Sequence, residues 1–294
     1  MKPIYVLFGV DMETDVGSFT PYYEGTQHGT PLLLELFAEK SVKGTFFFTG
    51  DCAKENPAIA KMVAESGNEV GCHSLYHETL GDELFPIPGI KPLLPFEVKP
   101  RIKICKQWVE EASGVTPTSF RCPRLWGSTT VVNALEELGF TCDVTYPMYF
   151  YREQFAPYHP ARSDWTKQGD STVLEVPNFA DMTMESKDPD LERDRDQWPL
   201  FRTRGGAYLQ ERSQSFLDFC DEIDVPRVLA YYIHPWEFWP METSYNFGEA
   251  TVIPEDFITH NCGQAALDEL GVLMDGLVNM GAKFVTAHDL TEIF

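Results

Sequence analysis

Short apolar runs rich in Val, Phe and Tyr alternate from Ile4 onward with segments whose apolar residues recur at helical spacing, and this alternation restricts the chain to α/β architecture built from βα units. The runs are "IYVLFGV" (4–10), "GTFFFTG" (44–50), "NEVGC" (68–72), "SFRCP" (119–123), "TCDVTYP" (141–147), "TVLEVP" (172–177), "VLAYYIH" (228–234) and "KFVTAHD" (283–289). Helical candidates lie between them at about 30–41, 56–66, 97–113, 128–138, 209–222 and 262–280. Several end at a glycine (Gly67, Gly114, Gly139, Gly281), the residue that accepts the left-handed turn closing a helix. Seven or eight strands with interleaved helices predict a closed or nearly closed parallel barrel.

Four stretches interrupt the alternation, at about 78–96, 148–170, 178–208 and 235–261, the last rich in Trp, Phe and Pro. Loops of that length in a compact domain usually carry function. The charged run "ESKDPDLERDRDQW" (185–198) reads as a solvated surface loop. With no internal repeat and no low-complexity tail, one domain over 1–294 is expected. The formal charge of −22 and the lack of Lys and Arg clusters disfavour nucleic acid and anionic membranes as partners. "MKPIYVLFGVDMETD" contains neither a long apolar region nor a small-residue cleavage site, so no signal peptide, no membrane span and a cytoplasmic location are expected. Seven cysteines without a CxxC pair predict reduced, mostly buried thiols.

In βα barrels, functional groups sit at the C-terminal ends of strands. Those ends carry Asp11, Glu13 and Asp15 on the first strand, His73 and His77 on the third, Arg121 after 119, Asp181 after 172, and His234 after 228. His73 and His77 stand four apart and would share one face if "HSLYH" makes a helical turn. Alternation along an extended strand would put Asp11, Glu13 and Asp15 on one side. Two neutral imidazoles and one carboxylate make the usual open three-ligand site of a hydrolytic Zn²⁺ or similar divalent ion. Locally hydrogen-bonded imidazoles and an exposed acidic loop are the plainer alternatives. His234, leaving a buried strand before Pro235, is a candidate general acid. Arg121 either holds Asp11 in place or pairs with a surface carboxylate.

In their order these segments resemble the NodB-homology polysaccharide deacetylases, carbohydrate esterase family four. The matching segments are "VDMETD", "TFFFTG...CAKENPAIAKMVAESGNEVGCHSLYH", "SFRCP" and "YYIHP", of which the second is the most specific. The resemblance covers roughly residues 4–145 and, more loosely, 172–290. It implies a distorted (β/α) barrel of about seven parallel strands and a metal-dependent hydrolysis of a non-peptide carbon–nitrogen bond, usually the N-acetyl group of an amino sugar. By the same resemblance His73 and His77 are metal ligands and Asp11 is the general base. Arg121 orients that base, His234 is the general acid, and Asp181 is a carboxylate tuning the catalytic pair. The metal would be zinc, with cobalt, nickel or manganese as alternatives, and the substrate a small molecule or oligosaccharide; a homo-oligomer stays open.

Two departures bear on this. Most of the family has adjacent aspartates in the first motif, whereas D-x-E here puts Glu13 in the ligand position, closest to a cytoplasmic subgroup with D-x-D. Allantoinase-like members also carry Glu there, which keeps a cyclic amidohydrolase (imidase or allantoinase-like) as an alternative, beside an inactive sugar-binding homologue that has lost the metal. Arg124 stands after the third-motif proline in place of an aromatic residue, suited to an anionic substrate group or to a plain surface position.

Overall fold

Strand β1 (Ile4–Met12) organises the fold, and every residue in it except Tyr5 is buried. It pairs along one edge with β7 (Arg227–Ile233) in parallel register from Ile4 to Val10. Its other edge is shared: β8 (Ala282–Phe284) pairs with Ile4–Val6, and β2 (Gly44–Phe48) with Phe8–Met12. From β2 the parallel order continues through β3 (Glu69–Cys72), β4 (Ser119–Phe120), β5 (Cys142–Asp143) and β6 (Leu174–Glu175). Beyond β6, Asn178 N–H donates to Tyr146 and Phe179 N–H to Ala230 of β7, which brings the two ends of the sheet together. Seven strands thus run round a distorted (β/α) barrel with the short β8 wedged beside the start of β1. This computed structural model describes residues 2–17 and 19–294.

The helices Thr30–Lys40, Pro57–Glu65, Pro95–Ser113, Thr129–Glu137, Gly206–Glu222 and Gln264–Asn279 cover the outside, near the positions that periodicity predicts. Inside the barrel lies a separate apolar cluster that includes Leu7, Phe47, Val144, Leu174, Val176 and Ala230. Ala287 and Leu290, on the helix Ala287–Ile293, belong to it and close the N-terminal end of the strands. That helix replaces the last part of the expected strand "KFVTAHD": Thr286 Oγ accepts from Asp289 N–H at 3.1 Å and Asp289 accepts from Thr286 N–H at 2.9 Å, a capping box that starts a helix. A short helix over Gly50–Glu55, also not expected, starts on Thr49 Oγ accepting from Cys52 N–H.

The strands expected at 119–123, 141–147 and 172–177 shrink to two paired residues each, and beyond the first two of them side chains take over backbone groups. Thr145 Oγ accepts from Cys122 N–H at 2.9 Å, and Glu175 Oε1 accepts from the N–H groups of Thr145 and Tyr146 at 3.0 and 2.7 Å. All seven cysteines are free, six of them buried. No described helix is long and apolar enough to cross a membrane. The run 185–198 departs from a wholly solvated loop: Asp196 and Gln197 are buried, Gln197 donates to Tyr232 O at 3.1 Å, and Tyr232 donates its hydroxyl to Asp196. Those polar groups can be buried because β7 supplies their partners.

Asp143 and Glu175 are buried together, where burial pushes Asp143 up to about 7 and Glu175 well above the ordinary carboxyl range. The pair therefore keeps a proton near neutrality. A raised carboxyl contributes stability below its unfolded value near 4 that is lost as pH rises toward the folded value near 7. Glu175→Gln keeps both accepted N–H bonds and removes one ionisation. Thermal scans should show it a few degrees above the parent chain at pH 8, about what 1–2 kcal/mol is worth at this size, with the gap closing toward pH 5.

Candidate active site and metal centre

Asp11 lies near the end of β1 and Glu13 directly after it, where pairing with β2 stops at Met12. The chain then reverses through Val16 and Gly17, both left-handed at φ 61° and 62°. That reversal ends the alternation that would have aligned Asp15 with them. Its carboxylate instead accepts from Glu24 and Gly25 N–H, each at 3.0 Å, and faces a different cavity.

His73 and His77 do meet, though not on a helical turn. The segment after β3 is irregular, with Ser74 and His77 left-handed (φ 68° and 58°). It is pinned by Gly50 and Asp51 N–H donating to the carbonyls of Ser74 and Leu75, and by Glu78 accepting from Ser74 Oγ. The ring centroids end 5.1 Å apart. His73 Nδ1 lies 2.8 Å from the Arg121 carbonyl, which fixes that nitrogen as the donor and turns Nε2 to the site. There it stands 3.8 Å from Glu13 Oε2 and 3.9 Å from Asp11 Oδ2, while His77 Nε2 lies 2.5 Å from the same Glu13 oxygen.

Arg121, fully buried, enters the barrel interior from β4. Its Nη1 donates to Asp11 Oδ1 at 2.8 Å, its Nε to Val144 O at 2.9 Å, and its guanidinium lies 4.6 Å from the Phe47 ring centre. This path exists because residue 9 is glycine: a Cβ there would sit 2.3 Å from the guanidinium nitrogens.

At the end of β7, His234 stacks on Trp236 at 4.8 Å and places Nε2 3.9 Å from Glu13 Oε1. Its Nδ1 lies 3.0 Å from Glu237 Oε1, and that same oxygen accepts from His234 N–H and Trp198 Nε1. Glu237 Oε2 accepts from the buried Arg202 Nε at 2.7 Å. Glu237 escaped the reading of the sequence, although an acid three residues after His234 in "HPWE", at a Pro-initiated turn, is the spacing of a capping box. Asp181, expected near the catalytic pair, does not line the site cavity: it pairs with Arg212 Nε at 2.7 Å and accepts from Thr183.

Burial would raise Glu13, but the His77, His234 and His73 imidazoles outweigh it and hold the carboxyl down at about 2. Burial likewise lowers His73 to about 4, against the pull of Asp11 and Glu13. Both groups therefore stand in the form that ligates metal, one a carboxylate and the other a neutral imidazole. Glu13, His73 and His77 can place one ligand atom each within 4.8 Å of one another. A divalent ion ~2.0–2.2 Å from each donor fits such a triangle. Glu13 Oε2 fits the same role, being buried and receiving no hydrogen bond of good geometry from the described residues. The triad, Asp11 and His234 all face one cavity of about 320 Å³, whose walls include Phe19, Phe85, Trp198 and Phe257 from the turn after β1 and the interrupting segments.

Residues 17–142 match the family described as polysaccharide deacetylase. A peptidoglycan-N-acetylglucosamine deacetylase of Bacillus cereus is 24% identical over 145 residues, 49% of this chain and 58% of that protein. The chain spans only 20% and 24% of the length of two further relatives, so it matches part of each. Among solved structures, a Mycobacterium smegmatis protein assigned to the polysaccharide deacetylases superposes with a TM-score of 0.63 at 19% identity, covering 99% of this chain and 90% of that one. Puue allantoinase gives 0.63 at 14% identity with the same coverages, a likeness of fold. The strand-end motifs, the barrel and the match over 17–142 together bear out the resemblance of this chain to the NodB-homology polysaccharide deacetylases.

Proposed function

We propose that this protein is a metal-dependent hydrolase of a non-peptide carbon–nitrogen bond, removing the acetyl group from an N-acetylated amino sugar or related glycan. The observation that carries the reading is the convergence of Glu13, His73 and His77 at one point, with Asp11 and His234 facing the same cavity. A divalent ion held there, zinc or else cobalt, nickel or manganese, supplies Lewis acidity, which makes a water nucleophilic near pH 7.

The chain's own groups do the rest. Asp11, its Oδ1 committed to Arg121, keeps Oδ2 toward His73 and takes the proton of the attacking water. His234 gives a proton from Nε2 to the departing amine nitrogen. It can do so because Glu237 holds Nδ1 and, with Glu13 and Asp11, raises the imidazole above its ordinary value despite burial. The names of the relatives support the N-acetyl group as the bond cleaved.

One observation favours a second reading, hydrolysis of a small cyclic amide: the aromatic walls bound a cavity of about 320 Å³, room for a small planar ring. Acetate release from N-acetylglucosamine oligomers against ring opening of succinimide and allantoin, each with a chelator control, separates the two. Inactivity toward both together with substoichiometric metal points to a sugar-binding homologue.

His73→Ala should lose bound metal and activity together, read by elemental analysis of the purified protein and acetate release. Asp11→Asn should lower kcat roughly 10²–10⁴-fold while the metal stays near one per chain; full turnover in that variant removes the assigned base. Glu237→Gln withdraws the charge that keeps His234 protonated. The basic limb of its kcat/KM profile should therefore move to lower pH, with a larger loss at pH 8 than at pH 6.

A further inference from the structure

The cavity wall carries two guanidinium groups that amide hydrolysis by itself does not use. Arg124 follows Pro123 with its backbone left-handed at φ 60°, and Leu125 follows it, also at φ 60°. Two adjacent non-glycine residues in that region are strained, and such strain persists where the surroundings over-determine it. Here the surroundings hold the side chain inward: Arg124 Nη1 donates to His77 O at 3.1 Å and Thr79 Oγ at 3.4 Å, and its guanidinium lies 6.0 Å from the Phe19 ring centre. Partly buried beside the metal ligands, it stays charged, because a guanidinium does not give up its proton in a protein.

Arg193 sits at the solvent side of the same cavity, its guanidinium 5.1 Å from the Phe85 ring centre. Its neighbours behave differently, Glu192 pairing with Arg152 and with Arg195. Among the described residues the carboxylates lining the cavity are Asp11, paired with Arg121, and Glu13, which lies against the imidazoles and also acts on Arg124. Most of the remaining wall is aromatic or aliphatic, so a charge brought there loses water and the guanidinium gains weight. In a chain of net charge −22, an anion is admitted only where local cations outweigh the whole.

We infer that the substrate is an amide bearing a carboxylate-sized anionic group, which Arg124 binds inside the cavity while Arg193 draws it in at the mouth. This rests on the hydrolase reading for the word amide alone; the anion site stands on the arginines.

The probes are 4-acetamidobenzoate and its uncharged isostere 4-acetamidobenzamide, titrated into the zinc-loaded protein and followed by the fluorescence of Trp198 and Trp236, which line the cavity. The carboxylate should bind about tenfold tighter, the worth of one charge-assisted pair. Arg124→Gln should erase that preference while zinc content stays full, which separates the arginine from direct ligation of zinc, and Arg124→Lys should keep part of it. If Arg124→Gln fails to fold or loses zinc, Arg193→Gln decides, with a several-fold loss for the carboxylate and none for the benzamide. Equal binding of the two probes, no saturable binding of the carboxylate, or a preference unchanged in the deciding variant overturns the inference. Acetate release is recorded in parallel. Hydrolysis of neither probe counts against the hydrolase reading and leaves the binding comparison to judge the anion site, whereas equal kcat/KM for both sinks the anion site alone.

Discussion

The mouth of the barrel is arranged around one almost wholly buried ion pair, Arg121 with Asp11. Arg121 is fully buried, and an arginine carried into an apolar barrel loses hydration worth several kcal/mol unless its donors are met. Asp11 and the Val144 carbonyl meet two of them, and the Phe47 face takes the broad side of the guanidinium. Removing one partner of such a pair generally costs about 3–5 kcal/mol, because the other charge is left stranded. The pair also sets geometry. It holds one oxygen of Asp11, and the Arg121 carbonyl holds His73, so the residue directly after β4 orients groups delivered by β1 and β3. Gly9 is the spatial condition for all of it, a glycine in mid-strand where intrinsic preference disfavours one.

Most of the architecture was legible in the sequence because it rests on periodicity. A buried parallel strand reads as a continuous apolar run, and the amphipathic helices between the runs show their spacing. What periodicity misses is where side chains replace backbone partners. Glu175 and Thr145 take over the N–H groups beyond β4 and β5, so strands that look five to seven residues long pair through only two. Thr286 and Asp289 likewise turn the end of an apolar run into a helix start.

The site divides along the same line. Positions at strand ends were legible, since topology alone carries Asp11, Glu13, His73, Arg121 and His234 toward one rim. The local route was not. The spacing of His73 and His77 suggested a helical turn, but no glycine marks the left-handed bends at Ser74 and His77 that bring the rings together. Asp15 looked equivalent to Glu13 until the reversal at Val16 and Gly17 sent it to other partners. Asp181 and Glu237 show the limit of reasoning from one strand at a time: the carboxylate at His234 comes from the turn that follows it, while Asp181 is claimed by Arg212.

Glu237 has a reach that extends past the imidazole. Its second oxygen grips Arg202, whose guanidinium in turn holds the carbonyls of Phe257 and His260, and Phe257 is part of the cavity wall. Imidazole, carboxylate and guanidinium are rigid planar groups, here joined in series by hydrogen bonds of 3.0 and 2.7 Å. The backbone of one chamber wall and the ring of His234 are thereby tied into a single hydrogen-bonded chain.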